Sequence, residues 1–360
     1  MTTIVFDESL VATLQQQKPR RSWSEKSAKW KVTVAVAVIV PFVVTMAFLL
    51  LTDIPRALTM VVIYLPLQLV AGAIAAIVTR GLKNAVDAMI IVCAIGATVF
   101  GVVIIASVFW SIIVKGIPVL SGAFLSQNMI YISPSTPLGY GGVGHAVIGT
   151  VLIVLISALI AVPLGIATAV YITEVRGRAV PYVRFFVQAM SGVPSVVAGL
   201  FILTVFILTG ILKASAFAGA LAYAILMLPT VARTAEEVLK LVPEDLRTGA
   251  LALGSTRARV VMKVVLPAAK TGIITAAILG LARVVGETAP LLLTAGFTDR
   301  TVVNPFTEPI TALPSFIFAN VSSPYPDAVA RAWGAALVLM VLVTILFVTT
   351  RILTSRRRGR

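Results

Sequence analysis

Arg283 and Glu287 are the only charged residues in the 23-residue run 271–293, which is otherwise apolar or small. A run of that length crosses a bilayer as a helix, so both charges belong to its interior. Arg283 lies twelve residues into the run, roughly 18 Å at helical rise and near the middle of a membrane. Each charge costs about 2.5–3.5 kcal/mol there on insertion scales. At helical spacing, Glu287 stands one turn beyond Arg283 on the same face. Two readings are open. One is an ion pair that holds helices together. The other is an anion site on a transport path, because a guanidinium stays charged and donates two parallel hydrogen bonds to an oxyanion such as phosphate. On that second reading, Glu287 either neutralises Arg283 when no cargo is bound or accepts a hydrogen bond from a protonated phosphate oxygen. Phosphate near neutral pH keeps a proton and sulfate does not, so such an acceptor discriminates between them. Arg233 ends another apolar run beside Glu236 and Glu237. It is either a terminal arginine reaching for the interface or a second anion contact. His145, the single histidine, is read as structural.

These charges need membrane helices to hold them. The chain of 360 residues is 59% hydrophobic and 12% charged, with a mean hydropathy of +1.04. Soluble domains carry about a quarter charged residues. The polar surface here is too small for one, and the fold class is an all-α integral membrane protein. Eight spans are expected, over 32–52, 58–79, 88–114, 144–171, 185–212, 216–236, 271–293 and 334–353. Pro41, Pro66, Pro163, Pro194 and Pro229 fall inside them, where neighbouring helices satisfy the freed carbonyls. A β-barrel would instead show strict alternation.

The net charge of +15 does not indicate nucleic acid, because the basic residues sit in tails and short loops. With the N-terminus in the cytoplasm, cytoplasmic segments hold 23 of the 29 Lys and Arg. The outer segments hold five, Arg56, Lys115, Lys213, Arg300 and Arg331. The positive-inside bias therefore puts both termini in the cytoplasm. The division expected is a basic tail over 1–31 without a cleavable signal, a hairpin over 32–79, a core over 80–353 with a cytoplasmic loop at 237–267, and a basic tail over 354–360. Cys93 is read as packing. The chain has no Gly-x-x-x-x-Gly-Lys-Ser/Thr motif and no His-Glu-x-x-His, so it is expected to be neither an ATPase nor a zinc enzyme, and no cofactor or metal is expected in it. The outer segments 115–143 and 294–333 are long enough to receive a partner or to serve as solvated connectors.

The cytoplasmic loop reads as a helix–glycine–helix elbow. Pro243, Glu244 and Asp245 favour a helix start, Gly254 suits the left-handed stop, Ser255 is the expected N-cap of a second helix, and Pro267 ends it. Leu246, Ala250 and Leu253 recur on one face, with Gly249 and Ala250 small enough for close approach. Taken alone, this is either an amphipathic loop on the membrane surface or a docking device. Importer permeases carry a loop of the form Glu-Ala-Ala, three residues, Gly, nine residues, Ile, any residue, Leu-Pro. Ala250, Gly254, Val264, Leu266 and Pro267 match that spacing, while Thr248 and Gly249 stand where the pattern has Glu and Ala.

Further runs extend the likeness: Gly141 to Thr150 (GGVGHAVIGT), Ser191 to Leu200 (SGVPSVVAGL), Ala282 to Leu291 (ARVVGETAPL) and Glu308 to Phe318 (EPITALPSFIF). With these, the stretch from about residue 88 onward resembles the PstA family, the A-type permease subunits of bacterial phosphate ABC importers. The resemblance implies a type I importer core of about six helices, to which 32–79 adds two. It implies an inner-membrane assembly with a sister C-type permease, two ATPase subunits that hold ATP and Mg, and an outer phosphate-binding protein. It also implies that the elbow docks on the ATPase, whose closure alternates access to the Arg283 region. Transport of sulfate or molybdate, ATP-independent transport, and a sensor or scaffold role are the rival expectations.

Overall fold

The computed structural model describes residues 28–51, 59, 63–80, 85–175 and 177–355. The tails over 1–27 and 356–360, and Arg56, Lys83 and Arg176 of the topology argument, lie outside the described residues. Every regular element among the described residues is helical. They fall into two compact units, one ending at Val108 and one running from Phe109.

In the first unit, α1 (Ala28–Leu51) packs against α2 (Leu65–Arg80). The Gln68 side-chain amide donates to the Ala37 carbonyl at 3.2 Å. The 24 residues of α1 are long and apolar enough to cross a membrane. The 16 residues of α2 reach only about 24 Å, short of the roughly 30 Å of hydrocarbon. Of the span expected over 58–79, residues 63–64 are also helical, while 58 and 60–62 lie outside the described residues. Next comes α3 (Ala85–Gly116), which contains the divide between the units.

The second unit continues with α4 (Gly144–Glu174), α5 (Val180–Ser191), α6 (Ser195–Ile202), α7 (Ala216–Lys240), α8 (Glu244–Ala252), α9 (Lys270–Val284), α10 (Ala289–Thr294), α11 (Leu313–Val321) and α12 (Pro326–Ser355). Its centre is α7, which packs on α4 and α9. Ala220, Tyr223, Met227 and Val231 are buried there with Ile153, Ala161, Val284 and Leu291. Small residues let membrane helices approach closely, and Val231 shows how. A Cβ added at Gly165 of α4 would lie 2.9 Å from the Val231 side chain, and one at Gly280 of α9 would lie 2.5 Å from it. Val231 fills a slot that exists because both neighbours are glycine.

Two expected spans are broken. The run 185–212 bends by 104° between α5 and the helical segment Ser195–Ile207. Pro194 has no N–H and pushes Val193 away from helical dihedrals, and Gly192 precedes them. The run 271–293 stops at Val284 and restarts at Ala289, because Pro290 removes the donor that would continue the ladder. Tyr223 donates its hydroxyl hydrogen to the Glu287 carbonyl in this gap, satisfying a backbone acceptor that the break sets free. Among the described residues, five helices are long and apolar enough to span, or seven if each sharply bent helix pair counts once.

The last helix begins at Pro326 rather than 334. Arg331, expected in an outer segment, is therefore inside α12 and fully buried. Its Nη2 donates to the carbonyls of Thr136 at 2.6 Å, Pro137 at 3.0 Å and Tyr140 at 3.1 Å. The far end of the 115–143 loop is stitched to α12 by this one side chain.

Candidate functional site

Arg283 sits in the last turn of α9. The carbonyl end of a helix carries partial negative charge, so ending the helix here offsets part of the cost of a cation at this depth. The Arg283 side chain is exposed on this chain, and its Nη1 donates to the Thr230 hydroxyl at 3.1 Å. Thr230 belongs to α7. Three residues on, one turn along the same face, is Arg233, also exposed. The Thr230 hydroxyl therefore links Arg283 of α9 to the helix that also carries Arg233.

Glu287 is placed differently from the sequence expectation. The helix ends before it, and its N–H bonds to the Val284 carbonyl at 3.0 Å in the link to α10. The same-face relation to Arg283 is lost with the helix. Among the described residues, the ion pairs lie elsewhere and none joins Arg283 to Glu287.

The acids next to Arg233 in sequence are engaged by other cations. Glu236, with a side chain only 8% exposed, meets Arg184 at 3.1 Å and Lys240 at 2.9 Å. Glu237 meets Lys240 at 2.9 Å. Neither Arg233 nor Arg283 forms a close ion pair with a carboxylate among the described residues, although Arg233 is within electrostatic reach of Glu237. A guanidinium beside a hydroxyl, as Arg283 is beside Thr230, can hold an oxyanion through charge-assisted hydrogen bonds. His145 is buried edge-on against Phe316, and neither ring nitrogen has a hydrogen-bond partner among the described residues.

The elbow forms as a Schellman stop. Gly254 has φ +79°, its N–H bonds to the Leu251 carbonyl at 2.9 Å, and the Ser255 N–H bonds to the Ala250 carbonyl at 3.2 Å. These are the two bonds that close a helix through a left-handed glycine. The N-cap of the next turn is Thr256, not the expected Ser255, with its hydroxyl accepting from the Arg259 N–H. The run through Pro267 then bends by 74° into α9. The motif residues divide between two sides. Ala250, Val264 and Leu266 pack inward against Leu239, Val242 and Val265. Thr248, Gly249, Gly254 and Pro267 are exposed, and a Cβ at Gly249 or Gly254 would meet nothing. The expected Leu246–Ala250–Leu253 face is accordingly mixed, since Ala250 turns toward the core.

Sequence reasoning missed Thr230, Tyr223 and the cations on Glu236. Thr230 carried a signal, because it precedes Arg233 by one helical turn. Tyr223 carried none, because its partner is 64 residues away.

Residues 161–359 match the family model described as a binding-protein-dependent transport system inner membrane component. The phosphate transport system permease protein PstA 1 of Mycobacterium tuberculosis is 40% identical over 222 residues, covering 61% of this chain and 73% of that protein. The phosphate transport system permease protein PstA of Haemophilus influenzae is 35% identical over 263 residues, covering 71% and 91%. An inward-facing structure of the MetNI methionine ABC transporter aligns over 61% of this chain and 95% of its own at 19% identity and a TM-score of 0.47. With more than half of its length inside the family model, this chain belongs to the binding-protein-dependent transport system inner membrane components.

Proposed function

We propose that this chain is the permease subunit of an ATP-driven importer that moves inorganic phosphate into the cytoplasm by alternating access. The observation that carries the reading is Arg283, an exposed guanidinium of a membrane bundle that has no ion-paired carboxylate among the described residues and donates to Thr230 of α7, the helix that also carries Arg233. An exposed arginine deep in a span calls for a partner surface or a water-filled path. A sister C-type permease facing α7 and α9 supplies both. The proteins named phosphate permeases above support phosphate as the cargo.

In this reading the chain itself is not catalytic. ATP and Mg belong to a pair of ATPase subunits that meet the exposed side of the elbow at Thr248, Gly249, Gly254 and Pro267. Ala250, Val264 and Leu266 join that elbow to the helices behind it. Both termini lie in the cytoplasm. The loops 115–143 and 294–333 then face outward, where a phosphate-binding protein delivers its cargo. No nucleic acid is involved.

The test is uptake of labelled phosphate at low external concentration in cells lacking the gene. The native chain, co-expressed with its ATPase, is expected to restore uptake, with no competition from excess sulfate or molybdate and a stop when ATP is depleted. Competition by either anion would reassign the cargo. Uptake that survives ATP depletion would overturn the importer reading.

Glu287 carries a second expectation. If its carboxylate accepts the proton that phosphate keeps, Glu287→Gln lets sulfate compete at least about tenfold better, since hydrogen bonds to charged groups are worth about 1.5–3 kcal/mol. Unchanged sulfate rejection in competition uptake would remove that role.

A further inference from the structure

We infer that Arg247 is a positioning residue that carries movement of the elbow into the membrane helices. The inference rests on the reading of the elbow as the ATPase contact, and deepens it. Arg247 lies on α8 with its side chain only 14% exposed. Its Nη2 and Nε both donate to Glu174 Oε1, at 3.0 and 3.3 Å. Nη2 also donates to the Leu239 carbonyl at 2.8 Å. Nη1 donates to the Val242 carbonyl and, at 3.3 Å, to Glu244 Oε2.

Each acceptor has a place in the fold. Glu174 is the last residue of α4, Leu239 is in the last turn of α7, and Val242 lies two residues past its end. The carbonyls at a helix end have no partner within the helix, and a basic side chain can take them up. One guanidinium therefore fastens α8 to the ends of the two most extensively packed helices of the unit.

Beside it, Ala250, Val264 and Leu266 join the elbow to the bundle by apolar contact. Apolar contact is non-directional and lets helices slide. The arginine fork fixes direction. From Leu239 the α7 backbone runs nine residues, roughly 14 Å at helical rise, to Thr230, which holds Arg283. Displacing α8 thus pulls on α7 through a charged node and shifts Thr230 and Arg283 with it. Glu174 applies the same pull to α4.

The test uses the assembled complex, with its partner subunits, in liposomes. ATP hydrolysis and phosphate uptake are measured together for the native chain, Arg247→Gln and Glu174→Gln. Arg247→Gln is expected to keep hydrolysing ATP while phosphate moved per ATP falls at least about tenfold, the scale of losing charge-assisted hydrogen bonds. Glu174→Gln keeps the carbonyl caps and removes one charge, so a smaller fall in the same ratio is expected. If Arg247→Gln fails to assemble, Glu174→Gln decides alone. A native ratio in Glu174→Gln, with Arg247→Gln either unassembled or also native, overturns the inference and leaves the importer reading standing. A native complex without ATP-dependent phosphate uptake overturns the importer reading itself, and this inference with it.

Discussion

Arg283→Gln is expected to slow phosphate uptake roughly 10- to 100-fold, the range that follows from losing charged hydrogen bonds worth about 1.5–3 kcal/mol. Glutamine still has a donor to offer the Thr230 hydroxyl, so the helix contact need not be lost with the charge. Removing a charge from a span also lowers the cost of insertion, so membrane levels should hold. Uptake assays paired with quantitation of the chain in membranes check both points. Arg283→Lys is expected to fall between, because an ammonium keeps the charge without the planar fork. Native uptake by Arg283→Gln would place the residue off the path and make its contact with Thr230 purely structural.

The slot around Val231 gives the second large effect. Gly280→Ala puts a methyl 2.5 Å from a Val231 methyl carbon and 3.0 Å from Met227 Cγ. Overpacking of a filled core costs about 1–3 kcal/mol, and Val231, wedged also against Gly165, has no direction in which to yield. A lower thermal midpoint of the purified complex and lower chain abundance are expected. Val231→Ala should rescue Gly280→Ala, since it deletes the methyls in the way. Contacting residues couple in this manner and distant ones do not. Full stability of the single variant would show that α7 and α9 are packed more loosely than the glycine slot indicates.

What the sequence made legible follows the range of the interactions involved. The Schellman stop at Gly254 was readable because its bonds join Leu251, Ala250 and Ser255, all near neighbours. The long helices were readable because each is a continuous apolar run. Pro194 and Pro290 were visible too, but a proline within an apolar run can kink a helix or end it. Gly192 and Gly286, lying just before these prolines, sit at what prove to be full breaks. That distinction moved Glu287 off the helical face of Arg283. Arg331 was assigned to a loop because charge usually marks an end of a span, whereas here three backbone carbonyls make burial tolerable. Thr230 and Arg283 are 53 residues apart, and Glu174 and Arg247 are 73 apart. No local periodicity encodes such pairings, so the candidate residues were legible as types while their partners were not.

The outer side of the elbow bears on how the chain survives before it is assembled. The nine residues of α8 are too few to span a membrane, yet Leu246, Leu251 and, just past its end, Leu253 are exposed, Leu253 at 89%. Fully burying a leucine is worth about 1.5–3 kcal/mol, so an orphan copy displays a ledge that other proteins will bind. Chaperones and proteases continuously sort chains that show such surfaces. Copies made in excess of the assembly are then expected to be cleared rather than stored.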